Sequence, residues 1–157
     1  MLATISGDRI RHELELILKE DRPENARERA HALGLLQRIQ PSLKTDGWLR
    51  EKYQQARSAS LPPPAVYLAL LTYRLSGDET EDLIARLRVP GRNATVVRDA
   101  SRLKEMLPSF DAGDMPPSSI HRLLEDCSPM AILACATASD SSIVRQRLQL
   151  YLNKLRY

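Results

Sequence analysis

The chain has 157 residues, 43% of them apolar and 27% charged, with a net charge of +3. That is enough for one domain with a real core, or for one domain plus a small appendage. Aromatic residues make up only 4%, so the core must be Leu, Ile, Val and Ala, which counts against a β-sandwich and favours packed helices.

Nearly every segment carries the helical period. Ser6 is placed to cap a first helix in which Ile10, Leu14, Ile17 and Leu18 form an apolar stripe, with Arg9, Glu13 and Glu20 opposite. Asp21, Pro23 and Glu24 predict the start of a second helix, with Ala26, Ala30 and Leu33 inward and Gly34 at its end. Leu35, Leu36 and Ile39 form a short turn closed by Pro41. Asp46 then caps a helix lined by Leu49, Tyr53 and Ala56, with Trp48 beside them.

Ser58 to Pro64 reads as a stiff, extended connector and as the best internal boundary. Val66 to Leu71 is apolar all round, as befits a helix in the middle of a bundle. Ser76-Gly77 ends it; Asp78 and Glu81 cap the next, with Leu83, Ile84 and Leu87 inside. Val89-Pro90-Gly91 breaks the chain before a helix lined by Val96, Ala100, Leu103 and Leu107, which Pro108 stops.

A loop from Pro108 to Pro117 leads to a helix opened by Ser118 or Ser119, with Ile120, Leu123 and Leu124 inward. Ser128-Pro129 opens a small-residue helix from Met130 to Ala138. Ser139 to Ser142 separates it from a last helix striped by Val144, Leu148, Tyr151, Leu152 and Leu155. No segment alternates with period two for long enough to be a strand. The expected fold is all-α, an irregular bundle of about nine or ten short helices.

Reactive chemistry has no constellation here. Asp78, Glu79, Glu81 and Asp82 sit at a helix start, where negative charge stabilises the positive helix end without a metal. His12-Glu13 is followed by Leu16 instead of a second histidine, so no zinc pair forms, and no metal site is expected. There is no P-loop, G-x-G-x-x-G or G-x-S-x-G. Cys127 and Cys135 read as buried free thiols in a reducing, cytoplasmic setting. No leader peptide is expected, and the longest apolar stretch, Ala65 to Leu71, is too short to span a bilayer.

The remaining signal is basic charge. Arg86, Arg88, Arg92, Arg98, Arg102 and Lys104 face Asp99 alone over their stretch, and Arg145, Arg147, Lys154 and Arg156 follow the last acid, Asp140. Arg98 and Arg102 share a helix face and suit phosphate contacts, although a solvated face looks the same in sequence.

The order Ser6-Gly7-Asp8-Arg9-Ile10-Arg11-His12-Glu13-Leu14 resembles the neck motif of the tRNA nucleotidyltransferase (CCA-adding enzyme) and bacterial poly(A) polymerase family, roughly S-x-E-R-I-x-x-E-L-x-x-I-L. Ser6, Arg9, Ile10, Glu13, Leu14 and Ile17 fall on that motif; Asp8 stands where the family often has Glu. Leu33-Gly34-Leu35-Leu36 through Leu43 looks like the segment leading from neck to body. Pro117 to Leu124 and Tyr151 to Arg156 are similar to body patterns. Glu81-Asp82 with Arg86 departs from the family's nucleotide-reading E-D-x-x-R in both spacing and position, and reads as an ordinary i,i+4 pair.

The resemblance implies neck-like helices over 1–45 and a helical body over 46–157, able to pack as one domain. It implies a noncatalytic part, with no cofactor of its own, of a CCA-adding enzyme or poly(A) polymerase. That part would support a catalytic head that uses Mg²⁺ and ATP or CTP, and would position the 3′ end of RNA, with tRNA the expected substrate. The rival reading is a helical protein-interaction module with no nucleic-acid role.

Overall fold

The computed structural model describes residues 7–18, 34, 37–38, 40–43, 46–59, 62–111 and 113–155. Among them it has eight α-helices and no strand. They are α1 (Gly7–Leu18), α2 (Gly47–Ala59), α3 (Pro64–Thr72), α4 (Gly77–Leu87), α5 (Gly91–Phe110), α6 (Pro117–Leu124), α7 (Pro129–Ala138) and α8 (Ser142–Leu150), which runs into a π-helical turn, Tyr151–Leu155. The all-α reading holds, with eight helices among the described residues against nine or ten expected of the whole chain. The expected helix from Asp21 to Leu33, the Ser6 cap and the Ile17 side chain lie outside the described residues; Gly34 is itself helical.

Two helices have no polar face. In α3 every residue from Ala65 to Thr72 is buried; in α7, Ala131, Ile132, Ala134, Cys135, Ala136 and Ala138 are. Helices of that kind must be covered on all sides. They pack on each other and on α5, and this trio forms the centre. Small side chains on α7 permit close approach, and the Cys135 thiol lies 3.5 Å from the Ala100 carbonyl oxygen on α5. Both cysteines are buried and free, and burial raises both thiols above their ordinary pKa. The remaining helices cover the trio: α2 on α3 and α7, α4 on α5, α8 on α7 and α5, and α1 on α3 and α4.

Proline sets several boundaries. Pro63 is extended and Pro64 opens α3, where its missing N–H costs nothing. The connector is therefore shorter than the sequence suggests, because α2 continues through Ser58 and Ala59. Pro116 and Pro117 likewise open α6 ahead of Ser118 and Ser119. Pro108 lies inside the last turn of α5 and does not end it, since α5 runs on to Phe110. The cap of α4 is Ser76, and Glu79 completes its box, two residues before the expected pair. Leu123, expected inward, is 37% exposed. Ser128 caps α7 as expected, its hydroxyl accepting from the Ala131 N–H at 3.2 Å.

Truncating the centre should be costly. Leu70→Ala, at a fully buried position, is expected to lower unfolding free energy by about 2–5 kcal/mol in urea titrations followed by circular dichroism.

Candidate nucleic-acid interface

The basic residues do not form one strip. Arg86 pairs with Asp82 at 3.0 Å, one turn back on α4. Arg98 reaches from α5 to Glu81 on α4 at 2.8 Å; the guanidinium holds the Glu81 carboxyl below its usual pKa, and Glu81 raises that of Arg98. Arg102 donates to buried Asp99 at 2.9 Å, while the other Asp99 oxygen accepts from the Ser128 N–H at 2.9 Å. Asp99 thus ties α5 to the start of α7.

Lys104 turns inward. Its Nζ donates to the carbonyls of Tyr73 and Leu75 at 2.6 and 2.7 Å, satisfying the end of α3. Burial lowers its pKa. Arg145 donates to the Ser139 carbonyl at 2.9 Å. Arg147 donates to the carbonyls of Phe110 and Gly113, both at 2.6 Å, holding the turn after α5. Arg92 and Lys154 are exposed and have no hydrogen-bond or ion-pair partner among the described residues.

Geometry separates the groups. Arg92 lies at the start of α5 and Arg147 grips its end, roughly 27 Å apart along the axis at 1.5 Å per residue. Basic residues also gather in sequence at the α4–α5 corner. Four arginines, Arg86, Arg88, Arg92 and Arg98, lie between positions 83 and 98 with no acid among them.

The corner is built by a Schellman ending. Val89 N–H donates to the Ile84 carbonyl at 3.1 Å and Arg88 N–H to the Ala85 carbonyl at 3.3 Å. The motif requires a left-handed residue, usually Gly, but Arg88 occupies it with φ 51° and ψ 49°. Among the described residues, no other non-glycine has positive φ. Arg11 of α1 closes the arrangement: its Nη1 donates to the Leu87 carbonyl at 3.2 Å and to the Arg88 carbonyl, while its Nε faces Glu15 at 3.3 Å. Sequence alone shows only the i,i+4 spacing of Arg11 and Glu15.

The neck-motif positions Arg9, Ile10, Glu13 and Leu14 lie on the same helix. Ile10 and Leu14 are buried, and Arg9 and Glu13 approach to 4.0 Å on the surface. Further along, buried Gln40 donates to the Glu79 carbonyl at 3.4 Å, and the Ser42 hydroxyl bonds the Glu79 carboxylate, the main cause of its lowered pKa. Residues 7–43 therefore grip α4 at both ends.

Asp46 forms a junction that sequence reading took only as a cap. Its carboxylate accepts from the Leu49 N–H at 3.3 Å and from both terminal nitrogens of Arg74 at 2.9 and 3.0 Å. Arg74 lies over the Trp48 ring at 4.2 Å, and Trp48 stacks on Tyr73 at 6.2 Å. This locks the start of α2 to the end of α3.

Residues 1–46 match a family model described as the probable RNA and SrmB-binding site of polymerase A. The match supports RNA as a partner and an RNA-binding role of the kind found in a polymerase-like protein. No curated protein and no solved structure matches the chain. The matched segment ends at Asp46, so the Arg74 pair joins its last residue to the helices that follow.

Two predictions follow from these local geometries. Arg74 holds the Asp46 carboxyl at about 2 instead of 3.8. A depressed carboxylate stabilises the fold above its unfolded pKa and loses that contribution as pH falls, so wild type should lose more melting temperature than Asp46→Asn between about pH 5 and pH 2. Arg88→Gly relieves a left-handed arginine and is expected to stabilise the fold by about 0.5–1 kcal/mol in thermal unfolding.

Proposed function

We propose that the chain is a noncatalytic RNA-binding scaffold of the kind that serves tRNA nucleotidyltransferases and poly(A) polymerases. In this reading it supports a catalytic head and positions the RNA 3′ end for nucleotide addition. Mg²⁺ and ATP or CTP belong to that head. Among the described residues no cluster of three His, Cys, Asp or Glu side chains could hold a metal ion. The carrying observation is the RNA-binding match over residues 1–46, whose described part grips α4 at both ends. That grip joins it to the α4–α5 corner, where Arg92 is exposed without a partner among the described residues.

Arg92 at the corner, and not the Arg98–Arg102 face, is the proposed phosphate contact. Arg98 and Arg102 hold Glu81 and Asp99, and a phosphate would have to displace those carboxylates. Arg92 pays no such exchange. A cytoplasmic setting is part of the proposal, and the buried free thiols fit it. No described helix is long and apolar enough to cross a membrane.

A protein-docking reading has one observation behind it. Leu16 stands 53% exposed on α1, within the segment whose family description names SrmB beside RNA.

Labelled tRNA and labelled oligo(A) separate these readings in anisotropy titrations at two salt concentrations. Arg92→Glu should weaken RNA binding about tenfold and lower the salt slope by about one. Tighter binding of tRNA than of oligo(A) favours CCA addition as the parent activity. Wild-type affinity and slope for Arg92→Glu would remove the corner from the interface.

A further inference from the structure

Trp48, the single tryptophan of the chain, is only half-buried. It packs against half-buried Tyr73 with the ring planes 21° apart. Arg74 lies over the Trp48 ring at 4.2 Å, and the Asp46 carboxylate holds both of its terminal nitrogens at 2.9 and 3.0 Å. Such hydrogen bonds run in the plane of a guanidinium, so they fix its tilt and leave its faces for stacking. One face lies on Trp48, and 30% of the Arg74 side chain remains exposed. A guanidinium already paired with a carboxylate is a poor phosphate ligand, but its plane still stacks.

We propose that the Trp48–Arg74 stack binds an unpaired nucleobase of single-stranded RNA, the base lying on the exposed side of the guanidinium as the next layer. Unpaired bases stack on aromatic rings and on arginine planes. Positive charge surrounds the stack: Lys52 Nζ is 5.7 Å from the centre of the Trp48 ring and Lys104 Nζ 5.5 Å from that of Tyr73. Arg50, one turn of α2 beyond Asp46, is exposed with no partner among the described residues.

The proposal rests on the RNA-binding reading above and adds a contact separate from Arg92. Pro64, Val89 and Asn93 line one cleft, so the start of α3 lies at the α4–α5 corner. Tyr73 follows the end of α3, roughly 14 Å along the axis at 1.5 Å per residue. A strand of about four stacked nucleotides spans that distance.

The test uses the full chain with oligo(A) and with a ribose-phosphate oligomer of equal length that lacks bases. Trp48 is its own reporter: its fluorescence should change on adding oligo(A) and not on adding the abasic oligomer. Arg74→Lys keeps the charge and loses the plane. It is expected to weaken oligo(A) binding about tenfold, with the salt slope and abasic binding unchanged. Arg92→Glu should weaken both oligomers alike.

The wild-type comparison decides even where Arg74→Lys fails to fold: equal affinity for the two oligomers, or an equal change in Trp48 emission, overturns the proposal. Wild-type affinity of Arg74→Lys for oligo(A) overturns it as well. So does a loss in that variant shared by both oligomers, which is what a purely structural lock would give. A chain that binds neither oligomer overturns the RNA-binding reading and this inference with it, whereas wild-type binding by Arg92→Glu overturns the corner alone.

Discussion

Burial of α3 and of most of α7 is the constraint on which the rest of the structure depends. Neither helix carries a charged residue, so α5 and its neighbours close around them. Covering short helices exposes many helix ends, and each end leaves carbonyls without intrahelical partners. The chain satisfies several of these with its own cations. Lys104 closes the end of α3, Arg147 the turn after α5, and Arg11 the end of α4.

That use of charge reshapes the functional picture. A sequence rich in arginine looks like one broad phosphate-binding surface, yet many of these arginines act as tertiary staples. What they leave is local: the bend between α4 and α5, where Arg92 is exposed without a partner among the described residues and Arg88 sits in a conformation normally reserved for glycine. A small solvated cluster of this kind contributes modest, salt-sensitive affinity.

The matched N-terminal segment acquires a physical role from the same contacts. It holds α4 at its start through Gln40 and Ser42 and at its end through Arg11. Asp46 then bonds Arg74 under the Trp48 ring. The matched segment thus shares hydrogen bonds with the helices that follow at three places.

Local signals in the sequence determined much of this. The apolar stripes of Ile10 and Leu14, of Leu49, Tyr53 and Ala56, and of Val96, Ala100 and Leu103 all proved to be buried, because helical period and burial are linked through nearest turns. The Ser128 cap and the Asp82–Arg86 pair were legible for the same reason: their partners lie within four residues. Boundaries set by proline were misjudged where proline could either end a helix or begin one, as at Pro108 and Pro117. The carbonyls that Arg11, Lys104 and Arg147 hold, and the carboxylate that Arg98 holds, lie between 17 and 77 positions away in sequence. Composition and spacing carry no trace of such distances. Only the packing of α1 on α4, and of α5 on its neighbours, decided which cations became staples and which remained available to a partner.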